Sequence, residues 1–157
     1  MDEAFVSESR VRAERGFARI RHCLEQLGEE DLSWRPAEGM NSIANLILHV
    51  CGNLRQWIGH GAGGLADVRD RDRDREFGAS RQPGMDELRK LLDETAAMVD
   101  ESLRRLDPNR LLDVRRIQDS EQTVLGAIYR VIGHLDGHGM QIVYVTRMRK
   151  GGAYRHF

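Results

Sequence analysis

His134 and His138 stand four residues apart in a stretch, Val124 to Arg149, whose apolar residues recur with helical period. That spacing sets two imidazoles one turn apart on the same side of a helix, where both reach one metal ion. At about 100° per residue, both share a direction with Ala127, Val131 and Val145 and lie beside Ile142, so they edge the apolar stripe. Desolvating two neighbouring imidazoles is costly, and shared coordination is a reason for placing them there. His49 occupies the most apolar segment of another predicted helix, with Asn45 and Asn53 one turn to either side. Taken alone it reads as a satisfied core histidine; beside the pair it is a candidate third ligand. Three histidines from two facing helices leave a tetrahedral ion at least one open position, the arrangement of a catalytic site. All-nitrogen ligation suits zinc, nickel, copper or iron, with zinc or nickel the first expectation. Such an ion lowers the pKa of a coordinated thiol or water, which then serves as a nucleophile at neutral pH. Asn53 and Gln141 are candidates for hydrogen bonds around the site or to a substrate, or else ordinary exposed amides. His22, His60 and His156 read as surface or capping residues, and Asp136 points elsewhere on its helix.

Four helices must bring these residues together. Val6, Ala13, Phe17, Ile20, Leu24 and Leu27 predict an amphipathic helix over residues 3–28, ended by Gly28. The segment Asp31 to Gly39 contains Trp34-Arg35-Pro36 and reads as a connection, because proline lacks the backbone donor and biases its predecessor to extended geometry. Asn41 or Ser42 caps a second helix with the stripe Ile43, Leu46, Ile47, Val50, Leu54, Trp57 and Ile58, expected to stop where glycines crowd at positions 59, 61, 63 and 64. A third runs from Pro83 to Asp107-Pro108, and the fourth carries the histidine pair and ends at Gly151-Gly152. Residues 111–121 show no helical period, and no convincing pair of strands is expected. The result is an all-α, four-helix bundle in a single domain, residues 1–157, with ligand sites between facing helices.

The composition narrows the function further. Twenty-four Lys and Arg against 25 Asp and Glu leave a net charge of −1, so there is no excess of positive charge for a nucleic acid or an anionic membrane, and neither is expected as a partner. The most apolar stretch, Ile43 to Cys51, is far shorter than a membrane span. The N-terminal MDEAFVSESR carries acid where a secretory signal carries base, so a cytoplasmic location is expected. Cys23 and Cys51 form no C-x-x-C pair and read as reduced, packed thiols without a catalytic role. Gly59 to Gly64 matches G-x-G-x-x-G, but a helix leads in and a loop leads out, the reverse of what a dinucleotide needs. The zinc-protease signature and Glu-x-x-His are both absent.

Three segments, LSWRPAEGMNSIANLILHVCGN (Leu32 to Asn53), RDRDREF (Arg71 to Phe77) and HLDGHGMQIVYVTR (His134 to Arg147), together resemble the DinB-like, or YfiT-type, superfamily of bacterial metal-binding four-helix bundles, within a subfamily of unknown function. The resemblance implies a metal held by His49, His134 and His138, up-down-down-up connectivity and a homodimer. It also implies a low-molecular-weight thiol, such as bacillithiol or mycothiol, whose sulfur is transferred to a small electrophile. The chain departs from the subfamily in one place: Gly139 follows the last histidine directly and Met140 precedes Gln141, which keeps Gln141 in register. The Arg71 to Glu76 run reads as a solvated charged loop, or as arginines that bind carboxylates of a thiol cofactor. Two functions therefore stand side by side: a divalent-metal-dependent thiol S-transferase, and a non-enzymatic, stress-associated metal-binding homodimer in which the ion ties the helices together. A bundle that has lost its metal is the third.

Overall fold

Helical periodicity in the apolar residues becomes helix α1 (Asp2–Leu24), which buries Val6, Ala13, Phe17, Ile20 and Leu24. The structure is a computed structural model that describes residues 2–65 and 83–157. α1 stops before Gly28, and Gly28 instead opens a one-turn helix, α2 (Glu29–Leu32), by donating its N–H to Asp31 Oδ2 at 3.0 Å. The expectation of one helix over 3–28 is corrected here. Just past the end of α1 the Gln26 side chain accepts the Arg155 backbone N–H at 2.7 Å.

Helix α3 (Ile43–Leu54) starts at Ser42, whose Oγ accepts the Asn45 N–H while Asn45 Oδ1 accepts from Ser42, a reciprocal cap. Gly59 and Gly61 do not end the coil, which stops at Gly63, within the expected glycine cluster. The coil widens into a π-helix over Arg55–Ala62, closed by the Gly63 N–H donating to Ile58 O at 2.7 Å. Gly59 and Gly61 serve close approach: a Cβ on Gly61 would overlap the Ile117 side chain, and one on Gly59 would lie 3.1 Å from the Met98 sulfur. Packing therefore outweighs the low helix propensity of glycine. Gly61→Ala is expected to destabilise the fold by about 2 kcal/mol, because the fully buried Ile117 has nowhere to move. An unchanged melting temperature would contradict that contact.

Helix α4 (Met85–Arg105) begins where the Met85 N–H donates to the Glu29 carboxylate of α2 at 3.0 Å. A second correction falls in the next connection. Strands β1 (Val114–Ile117) and β2 (Ser120–Thr123) form an antiparallel hairpin with Ile117 opposite Ser120. Each strand is four residues long, and Ile117 is the one buried side chain, too short a pattern for alternation to show. At the turn, Gln118 has φ of 57° and donates from Nε2 to Gln56 Oε1 at 2.6 Å, which holds the left-handed residue against the π-helix. Helix α5 (Val124–Lys150) is capped by Thr123 and ends at Gly151, whose φ is 51°.

Cross-helix pairs fix the topology. Arg10–Asp100 and Arg21–Asp93 set α4 antiparallel to α1. Gly16 against Leu135 and Gly139 against Arg19 set α5 parallel to α1. Arg55 beside Thr95, Gly59 beside Met98 and Gly63 beside Ser102 set α4 parallel to the π-helix that continues α3. Helices α1, α3, α4 and α5 thus run up, down, down and up around one core, as expected, with α3 and α5 antiparallel neighbours. Every residue of the expected α3 stripe is buried. No helix among the described residues is long and apolar enough to cross a membrane.

Candidate metal centre

The site starts from the turn before α3. Arg35 donates from Nη1 to Met40 O at 2.5 Å and from Nη2 to Asn45 Oδ1 at 2.7 Å, joining the Trp34-Arg35-Pro36 turn to the capped first turn of α3. Trp34 lies under the Arg149 guanidinium, 5.0 Å from its ring centroid, which anchors the same turn to the end of α5. The start of α3 is therefore held from two sides, and His49 follows Asn45 by one turn.

His49, His134 and His138 converge across the α3–α5 seam. Their rings stand 4.3–5.0 Å apart between centroids, and one nitrogen from each lies within 4.8 Å of the others. Nε2 of His49 and Nε2 of His134 are 3.0 Å apart. A zinc-type ion binds imidazole nitrogen at about 2.0–2.1 Å, so tetrahedral ligands sit about 3.3 Å from one another. Small side-chain rotations bring the three nitrogens onto such a sphere, and the donor set fits a divalent ion. His49 is buried, whereas His134 and His138 are half-buried, so the seam is closed on the α3 side and reachable from solvent on the other.

Gln141 joins the triad directly: its Oε1 lies 2.7 Å from His138 Nδ1. An amide oxygen can only accept, so Nδ1 carries the hydrogen and the His138 lone pair is on Nε2. Burial holds the His138 pKa below its ordinary value, the positive charge that His49 would carry adds to this, and the Gln141 hydrogen bond opposes it. The neutral, ligating form is favoured at neutral pH. The Gly139-Met140 departure leaves the helix unbroken, with Gly139 buried against Arg19.

The remaining candidates fall elsewhere. Asn53 is half-buried on the next turn of α3. His60 Nδ1 pairs with Leu65 O at the end of the π-helix, a capping role; His22 Nε2 pairs with Arg155 O, and His156 meets the Tyr154 ring edge to face. Cys23 and Cys51 are buried and not joined in a disulfide, and burial pushes the Cys23 pKa up, away from a nucleophilic thiolate. The Arg71 to Glu76 run lies outside the described residues.

Two features escaped the sequence reading. Arg130, one turn before His134, lies over the buried Trp57 ring, 4.4 Å from its centroid, and has no ion pair among the described residues. Its i, i+4 relation to His134 was there to be seen, but Trp57 beneath it came from another helix. The second is a cleft of about 450 Å³ one turn from the triad, reached by Leu46 on α3 and Gln141 on α5.

An up-down-down-up helical bundle with three histidines facing across two helices is the class of protein that fold and site define, and solved structures share that fold. A DinB-like protein from Bacillus cereus ATCC 10987 superposes with a TM-score of 0.73 at 14% identity, covering 99% of this chain and 97% of that one. A conserved protein from Enterococcus faecalis gives a TM-score of 0.74 at 18% identity, over 90% of this chain and 95% of that one. At these identities the likeness is one of fold, which is DinB-like. No curated protein matches the sequence. The chain belongs to the family described as Protein of unknown function (DUF1572), which matches residues 1–157.

Proposed function

We propose that the protein is a divalent-metal-dependent thiol S-transferase, with His49, His134 and His138 as the metal ligands. The observation that carries this reading is the asymmetry of the triad: one nitrogen from each ring lies within 4.8 Å of the others, yet two of the rings are half-buried and face an accessible seam. A closed structural site needs a fourth protein ligand, and no fourth His, Cys, Asp or Glu joins the group among the described residues. When bound, the ion supplies Lewis acidity, lowering the pKa of a thiol or water in its open position.

The chain's own groups do the rest. His49 provides a fixed, buried donor from a doubly anchored helix, and Gln141 holds His138 in its ligating tautomer. Arg130 presents a guanidinium one turn below His134, positioned on Trp57 to take an anionic group of the thiol. Asn53, half-buried one turn after His49 on α3, offers an amide. In the transfer, the thiol proton passes to solvent and the sulfur electron pair forms the new C–S bond. The leaving group departs with the electrons of the bond it breaks. The same reading takes a small-molecule thiol and an electrophile as partners, in a cytoplasmic homodimer.

Cobalt-loaded protein tests this reading directly. Added low-molecular-weight thiols are expected to change the visible cobalt absorption and to give S-arylation of 1-chloro-2,4-dinitrobenzene, with chloride release above the rate with free cobalt. A spectrum that thiols leave unchanged, together with a large fall in melting temperature on metal removal, would establish the non-enzymatic alternative instead.

A further inference from the structure

The cleft beside the triad has a chemical character unlike the rest of the molecule. Among the described residues none that lines it is charged, in a protein of which 31% is Asp, Glu, Lys or Arg. Its walls are Met40 and Leu46 from the α3 side and Met140 and Tyr144 from α5. Three of these are large apolar side chains left substantially in solvent, Met40 at 48%, Met140 at 54% and Tyr144 at 66% exposure. A volume of about 450 Å³ lies in the range of small-molecule sites, which join apolar walls to a few polar groups. Gln141 supplies such a group. Its oxygen is committed to His138, so what it offers the cleft is its NH2, a donor without charge.

We propose that this cleft binds the electrophilic co-substrate, and that the electrophile is a neutral, largely apolar small molecule with a hydrogen-bond acceptor, such as a carbonyl or nitro oxygen, directed at Gln141 Nε2. Charge selects the class. The described lining offers an anion or a cation no counter-charge, the adjacent Arg35 guanidinium being engaged by Met40 O and Asn45 Oδ1, whereas a neutral aromatic or aliphatic body gains by leaving water. The placement divides the site between two co-substrates: Arg130 lies one turn from the triad in one direction along the seam, and the uncharged cleft one turn away in the other. The assignment of the occupant as electrophile rests on the S-transferase reading; the preference for neutral apolar ligands rests on the cleft alone.

Two matched fluorescent probes separate these statements. N-phenyl-1-naphthylamine is neutral, and 8-anilinonaphthalene-1-sulfonate carries nearly the same rings with a negative charge. The neutral probe is expected to bind the full chain at one site with an emission increase, at least tenfold more tightly than the sulfonate. Gly137→Leu is a fold-safe way to block the cleft, because a Cβ there meets nothing within 4 Å and glycine is the poorer helix former. It should weaken binding of the neutral probe at least tenfold while the melting temperature holds or rises. Equal binding to both proteins, or a preference for the sulfonate, overturns the proposal. So does a sedimenting dimer that excludes the probe, which would make a second copy the occupant. Cobalt affinity of the parent protein, measured separately, keeps the readings apart: cobalt bound but no probe sinks the cleft proposal alone. Probe bound but no cobalt sinks the metal reading and leaves a neutral-ligand site.

Discussion

His49→Ala is expected to weaken binding of zinc or cobalt by about a hundredfold or more. A protein zinc site yields roughly 10 kcal/mol or more shared among its ligands, so each contributes about 3 kcal/mol. His49 is the most enclosed of the three rings and follows the anchored first turn of α3, so water does not replace it as readily as at the half-buried positions. The fold is expected to survive, since alanine is the better helix former and the neighbouring α3 side chains remain packed. Gln141→Leu keeps all three ligands and removes only the partner of His138 Nδ1, and a smaller loss of about tenfold is expected. Competition against a chromogenic chelator measures both, with circular dichroism to confirm helix content. Equal affinity in parent and His49→Ala would show that the ion binds elsewhere.

The largest effect on stability is expected from Asp31→Asn. The carboxylate is buried, with 4% of its side chain exposed, and it gathers Arg149 at 2.6 Å, Lys150 at 3.2 Å and the Gly28 N–H at 3.0 Å. It thereby fastens α2 to the end of α5. Burial alone raises the Asp31 pKa, but the Gly28 hydrogen bond and those from Arg149 and Lys150 outweigh it, and the pKa lies below the ordinary carboxylate value. The amide in the variant cannot accept as a charged group from two cations. Because both cations are partly exposed and regain water, the cost is about 2–3 kcal/mol and not the larger penalty of a fully enclosed pair. The pH dependence has a definite sign. A carboxyl with a depressed folded pKa stabilises fully above its unfolded value of about 3.9 and loses that contribution as pH falls through the folded value below it. Denaturant unfolding of the parent should therefore weaken with acid below about pH 4 more steeply than that of Asp31→Asn. Parallel profiles would show that Asp31 is not the coupled group.

Much of this was legible in the chain. The α3 stripe, Ser42 as cap, the i, i+4 histidine pair and the helix end at Gly151 follow from local rules, since helical period and capping act over a few residues. The elements misread were those where distant contacts override local preference. Gly59 and Gly61 look like helix ends, but their roles depend on Met98 and Ile117, which lie outside any local window; Gly28 caps a new turn through Asp31, three residues on. The hairpin was hidden because one buried isoleucine cannot show an alternation.

The sequence by itself determined the donors: three histidines at positions 49, 134 and 138, two of them bound to share a helix face by the geometry of the coil. Tertiary structure alone decided that the first of these meets the other two, with Nε2 of His49 3.0 Å from that of His134. It also decided that an uncharged cleft opens on one side of them and a guanidinium lies on the other. The reason is physical. Periodicity states which face of a helix leaves water, but which two faces then meet, and at what height, is set by how all four helices pack around one core.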